Sequence, residues 1–307
     1  MDQYPLVSVY TCVYNGERTI HRVFESLKNL DYPNIEHVIV NDGSTDGTDA
    51  LVQEYIGQVS FPVKYHKQEN GGKHSALNIA WDLAEGDFWV QLDADDRLLP
   101  HSVRFLVETY FQIPEDIRHE YWCVHGRFVT QAGKFVGIPY PEDINRDHWS
   151  ISGERARSCC RSGDKLGMQV GKYLNHYRFP DVKGISHIPE GIIWDQINKL
   201  YGTWYTNEVV AVNYVKEGGN LTASKTTRKQ FGAPAFRLKW RIMHEPKYSN
   251  SLKALLRYSL LYCAADNNFR KHNAYLEGIN RHRVFLRLMR PVAFVGAFLY
   301  RMRKGIK

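Results

Sequence analysis

The feature that most constrains this chain is an alternation of strand-like and helix-period segments through its first hundred or so residues. "LVSVYTCVY" is rich in β-formers, and Ile20, Val23, Phe24 and Leu27 then recur at the spacing of one helix face. "IEHVIV" reads as the next strand and runs into the turn-rich "NDGSTDGT", where Asp46 or Thr48 is placed to cap a helix carrying Leu51, Val52 and Tyr55. "VKYHKQ" predicts a third strand, and Lys73 to Ala84 a third helix with Ala76, Leu77, Ala80, Trp81 and Ala84 inward. "DFWVQL" predicts a fourth strand. Repeated βα units imply a parallel sheet covered by helices, whose ligands bind at the carboxyl ends of the strands.

That rule gives meaning to "VQLDADDRLLP", in which Asp93, Asp95 and Asp96 crowd together just after the fourth strand. Like charges at such spacing cost stability unless a cation or a hydrogen-bond network absorbs them. A D-x-D pattern suits a hard divalent cation, although an Asp-rich turn is also an ordinary solvated loop. The ends of the other strands, at Tyr14–Asn15, Asn41–Asp42 and Gln68–Lys73, are expected on the same rim. Further on, residues 121–138 read as a hairpin turning at Gln131–Gly133. Residues 140–186 are irregular, with a short helix expected near 165–176. "GIIWDQINKLY" predicts a helix and "TWYTNEVVAVNYV" a final strand.

Charge divides the chain. The 307 residues carry a net +7, but Lys225–Lys307 holds 19 Lys/Arg against three acids, while the remainder holds 21 bases and 30 acids. Residues 251–264 and 283–304 mix apolar runs with regularly placed bases, and the longest apolar run, Pro291–Tyr300, is far short of the roughly 20 residues a spanning helix needs. A helix lying in a membrane interface fits this pattern; a helical cap packed on the first region is the alternative. No nucleic-acid motif is present, and nucleic acid is not an expected partner. Cys12, Cys123, Cys159, Cys160 and Cys263 form no CxxC pair, and the first residues carry no basic, apolar leader pattern. The expectation is a reduced, cytoplasmic protein, peripheral at the inner face of the cell membrane.

Four segments in order, "VSVYTCVYNGERTI", "VIVNDGSTDGT", "ENGGKHSALNIA" and "VQLDADDRLLP", resemble family 2 glycosyltransferases of the GT-A fold. The resemblance is specific over residues 5–105, looser to about 222 and absent in the tail. It implies an α/β, Rossmann-like, mainly parallel sheet with flanking helices, followed by a basic helical region. It also implies a metal-dependent, inverting transfer of sugar from a nucleotide diphosphate, most simply a UDP-sugar, to a saccharide or lipid-linked acceptor in surface polysaccharide or glycolipid synthesis. The domains expected are 1–224, with a nucleotide-sugar half to about 105 and an acceptor half from 106, and 225–307.

The resemblance assigns roles residue by residue. Tyr14 stacks on a flat base, Asp42 accepts from uracil N3–H, and Lys73 lies near the diphosphate, which Gly71 and Gly72 let approach closely. By themselves, Tyr14 is also an ordinary strand residue, Asp42 a turn-stabilising one and Lys73 a solvated helix-start lysine. Asp95 coordinates Mn²⁺ or Mg²⁺, Asp93 reaches the ribose or a metal-bound water, and Asp96 caps or braces the loop. The base comes from "ISHIPEGIIWDQINKLY", where Glu190 stands alone in place of the family's frequent Glu-Asp pair; Asp195 is the fallback. Glu190 could equally do no more than complement the helix dipole. Lys225 or Arg228 could contact phosphate from a segment lacking the histidine often seen there, but a flexible basic loop is the favoured reading. The rival functions are a nucleotidyltransferase and a catalytically silent nucleotide-sugar-binding protein of the same fold.

Overall fold

The structure, a computed structural model, describes residues 4–140, 163–181, 188–214, 232–244, 250–265 and 283–304, with a few single positions between these segments. An eight-stranded sheet runs in the order β3-β2-β1-β4-β7-β6-β8-β5. Its strands are β1 (Val7–Val13), β2 (Ile35–Asn41), β3 (Val63–Lys67), β4 (Phe88–Gln91), β5 (Arg97–Leu98), β6 (Tyr121–Thr130), β7 (Lys165–Val170) and β8 (Gly202–Asn213). The expected parallel sheet accounts for β3-β2-β1-β4, whose neighbours all pair in parallel. Beyond β4 the sheet is mixed, because β7 runs antiparallel to both β4 and β6, whereas β6 and β8 pair in parallel.

Helices α1 (His21–Lys28), α2 (Thr48–Ile56) and α3 (Lys73–Leu83) connect the first four strands, as the periodicity predicts. Val23, Phe24 and Leu27 of α1 and Val52 and Tyr55 of α2 pack with Val7, Val9, Ile35, Ile39, Phe88 and Val90 in one core. These strand residues alternate along their strands, so they share a sheet face. Every residue of β2 is buried, so its other face is covered as well. Removing each such side chain from water contributes about 1.5–3 kcal/mol. Helix α4 (Ser102–Gln112) adds Val103, Leu106 and Val107 to the same core. A single turn, α5 (Glu115–Arg118), leads into β6.

Two expectations change. The turn at Gln131–Gly133 forms, with Gly133 in the left-handed region at φ 73°, but the return is a single bridge from Phe135 to Val129, and the chief partners of β6 are β7 and β8. Residues 165–176 are not one helix; Lys165–Val170 is strand β7, followed by the one-turn α6 (Gly171–Leu174). Gly167 explains the strand, since a Cβ there would lie 2.9 Å from the His125 ring. The missing side chain lets β7 seat against β6.

Helix α7 (Gly191–Ile197) precedes β8, and α8 (Gly232–His244), α9 (Leu252–Ala264) and α10 (Arg283–Lys304) follow it. By packing, the chain divides into one unit of Met1–Arg178 with Ile193–Lys216 and a second of Phe179–Ile192 with Glu217–Lys307. Within the second unit, Cys263 Sγ lies 3.8 Å from the Arg290 carbonyl, and a Cβ on Gly296 would meet Leu260 at 3.1 Å. Helices α9 and α10 therefore pack in opposed directions. No helix among the described residues is long and apolar enough to cross a membrane.

Candidate active site

The loops after β1 and β2 are stitched to each other by hydrogen bonds. Asn15, a non-glycine residue at φ 52°, donates its N–H to Ser44 Oγ at 2.9 Å and accepts from Thr45 N at 2.8 Å. Gly16 N donates to Thr48 Oγ1, and Glu17 N to Asp46 Oδ2. Asp46 also accepts from the N–H of Thr48, the first residue of α2, so it serves the helix start from one position before the Gly47 cap. The density of Asp, Ser and Thr in "NDGSTDGT" thus goes into joining two loops. Tyr14, beside this seam, is 54% exposed.

Asp42 is buried at the end of β2, and its carboxylate faces the Gly-Gly turn. Oδ1 accepts from Gly71 N at 2.8 Å and Gln68 Nε2 at 2.6 Å, and Oδ2 from Gly72 N at 2.9 Å. Asn70 Nδ2 donates to the Asp42 carbonyl. Of the roughly four acceptor positions on a carboxylate, three are occupied by this turn. The turn itself depends on glycine: Gly72 has φ 89°, and a Cβ on Gly43, at φ 75°, would lie 2.7 Å from Asn70 N. Lys73 opens α3, and its Nζ sits 2.8 Å from Asp93 Oδ1.

Asp93, Asp95 and Asp96 follow β4 and place one carboxylate oxygen each within 4.8 Å of one another. Asp96 is the buried member. Burial first, and the charges of Asp93 and Asp95 second, push its pKa up to about 7. Its carboxylate is held from the end of β8, where Asn213 Nδ2 donates to both oxygens at 3.1 and 3.4 Å and Tyr214 N to Oδ1 at 3.2 Å. Arg22 of α1 completes this brace: its Nη1 donates to the Asp95 carbonyl at 3.2 Å, and its guanidinium lies 4.1 Å over the Tyr214 ring. Tyr10 and Gln91 approach from behind, with Tyr10 Oη 3.3 Å from Gln91 Oε1 and Gln91 Nε2 3.5 Å from Asp93 Oδ1.

Three carboxylates this close are a donor set that suits a hard divalent cation, whose charge would offset their mutual repulsion. Asp93 and Asp95 fit as the ligands, with Asp96 turned into the Asn213–Tyr214 brace. The four strand ends therefore gather as the sequence predicts, with Asp42 joined to Gly71–Gly72 and Lys73 to Asp93. Glu190 stands directly before α7 and belongs to the second unit, whereas Asp195, inside α7, belongs to the first. Lys225 and Arg228 lie outside the described residues. Arg22, Asn213 and Tyr214 carry no signal in the sequence, because their partners are at least 70 positions away.

Residues 8–118 match the Glycosyl transferase family 2 model. An uncharacterized glycosyltransferase of Haemophilus influenzae is 35% identical over 113 residues, 36% of this chain and 34% of that protein. The chondroitin synthase of Escherichia coli is 38% identical over 107 residues, 34% of this chain and 15% of the synthase. The chain thus spans only a minor part of the length of these relatives. Among solved structures, S. aureus TarS 1–349 in complex with UDP-GlcNAc superimposes with a TM-score of 0.55 at 16% identity, over 98% of this chain and 92% of that one. The mannosyltransferase PcManGT of Pyrobaculum calidifontis, in complex with GDP-Man and Mn²⁺, gives 0.52 at 20% identity, over 97% and 74%. At such identities the likeness is one of fold.

Proposed function

We propose that this chain, which belongs to glycosyl transferase family 2 through residues 8–118, is a metal-dependent glycosyltransferase that takes sugar from a nucleoside diphosphate donor, UDP-linked in the first instance. Its acceptor is a saccharide or a lipid-linked glycan of a surface polysaccharide or glycolipid. The observation that carries the reading is the Asp93–Asp95–Asp96 cluster at the end of β4, on a rim that also presents Tyr14, Asp42 and Lys73. In this reading Tyr14 stacks on the base, and Asp42 offers its remaining acceptor position to the base edge while it holds the Gly71–Gly72 turn. Lys73 exchanges Asp93 for a donor phosphate. Asp95 and Asp93 hold Mn²⁺ or Mg²⁺, which when bound neutralises charge on the departing diphosphate.

The transfer itself is an inverting displacement. The acceptor hydroxyl attacks the sugar C1 as the bond to the diphosphate breaks, and Glu190 takes the hydroxyl proton. A carboxylate placed before a helix suits this role, with Asp195 the other candidate.

Calorimetric titration with UDP, GDP and dTDP, with and without Mn²⁺, tests the donor site. The expected result is metal-dependent binding of one nucleotide by the wild type and none by Asp95→Asn. Absence of binding by all three under metal would sink the transferase reading and favour a silent fold. Glu190→Gln should bind donor normally yet lose roughly 10²–10⁴-fold in kcat. Near-normal transfer by that variant would move the base to Asp195.

A further inference from the structure

Helix α10 (Arg283–Lys304) is amphipathic in the wrong sense for a helix whose outer face meets water. Its packed seam is Leu286, Ala293, Ala297 and Arg301, all buried. On the opposite side Val284, Leu288, Val292, Val295, Leu299 and Met302 recur every three or four residues, each 59–71% exposed. At 100° per residue these six fall within a narrow arc centred across the helix from the seam. Phe298, half exposed, widens that arc, and no charged residue interrupts it. A solvated surface helix places polar residues there. Here the outward stripe runs through some five turns, about 27 Å. Exposed apolar surface of that extent marks an interaction site.

The occupant follows from charge. Helices α9 and α10 contain no Asp or Glu. Exposed Arg287 flanks the stripe, and Lys253 and Arg257 are exposed on α9, which packs against α10. The whole stretch from Lys225 carries 19 bases and three acids. A second copy meeting this face would bring the same bases against themselves, whereas an anionic lipid surface attracts them. We infer that α10 lies in the plane of an anionic bilayer surface, with the Val284–Met302 stripe among the acyl chains and the flanking Arg and Lys at the headgroups. The insertion is shallow, about 5–10 Å, as befits a helix that is not apolar enough to span. This is independent of the glycosyl-transfer reading.

The experiment is flotation of the full chain with vesicles of phosphatidylcholine alone and of phosphatidylcholine with phosphatidylglycerol, at low and high salt. The expected result is binding to the anionic vesicles, weakened by salt. Leu288→Gln/Val295→Gln should reduce that binding at least tenfold, while Arg287→Glu weakens it chiefly at low salt. Circular dichroism and thermal unfolding of both variants report whether the fold is intact. These positions face outward, so both variants should fold. Wild-type chain that fails to float with anionic vesicles, or a double variant that floats as well as wild type, would overturn the inference. Light scattering that shows a dimer in the wild type and a monomer in the double variant, with no flotation by either, would assign the stripe to a second copy.

Discussion

Asp42 carries two demands on one carboxylate, and a single atom change separates them. In Asp42→Asn, the amide oxygen can face Gly71 N and Gln68 Nε2, but the new NH₂ then points at the N–H of Gly72, donor against donor. The buried clash should cost about 1–3 kcal/mol, read as a lowered denaturant midpoint, and should weaken nucleotide binding through the displaced turn. Arg22 acts at a similar remove. Arg22→Met keeps an apolar stem beside Tyr214 but removes the donor to the Asp95 carbonyl. Loss of a group that orients metal ligands typically costs 10–100-fold in metal affinity. Titration of Mn²⁺ at saturating UDP should show that loss, with little change in metal-free thermal stability. An unchanged Mn²⁺ titration would reduce Arg22 to a packing residue.

At the scale of elements, the βα alternation was legible because each local signal agreed with its neighbours. Ile20, Val23, Phe24 and Leu27 are all buried, and the strands at 7, 35, 63 and 88 match the strand-like segments that predict them to within a residue or two. The rim was legible for the same reason: a strand end is a local property, and the topology gathers such ends. What local pattern does not encode is pairing. "KLGMQV" reads as part of a helix until β4 and β6 stand on either side of it, and β6 reads as half a hairpin until β7 and β8 take its edges. The brace on Asp96 escapes for a related reason, since it joins β8 to a loop 117 positions earlier. Glycine was the better guide. Gly43→Ala combines a left-handed φ of 75° with a Cβ 2.7 Å from Asn70 N. It should lower stability by more than about 1 kcal/mol, measured by urea unfolding, because backbone cannot yield as a flexible side chain can.

For the molecule as a whole, the response to acid is set in part by His37, fully buried between Tyr55 Oη and Thr11 Oγ1 at 3.2 Å each. Burial pulls its pKa from 6.5 down to about 3, so the folded chain holds it neutral. Above pH 6.5 neither state binds the proton. Between about 6.5 and 3 the unfolded chain takes a proton that the folded chain refuses, so stability falls as pH falls, by about 1.4 kcal/mol per pH unit at most. Unfolding midpoints of His37→Gln should depend less steeply on pH across that window than those of wild type. The packing division carries a different consequence. The second unit owns Phe179–Ile192 as well as Glu217–Lys307, and Gly191 sits where a Cβ would lie 2.4 Å from Arg237 Nη2 of α8. The chain therefore passes from one unit to the other three times. Neither unit is a cassette: a graft that exchanges only the segment after Lys216 would set a foreign α8 against the host's own Gly191, leaving a chimaera with a seam through its core.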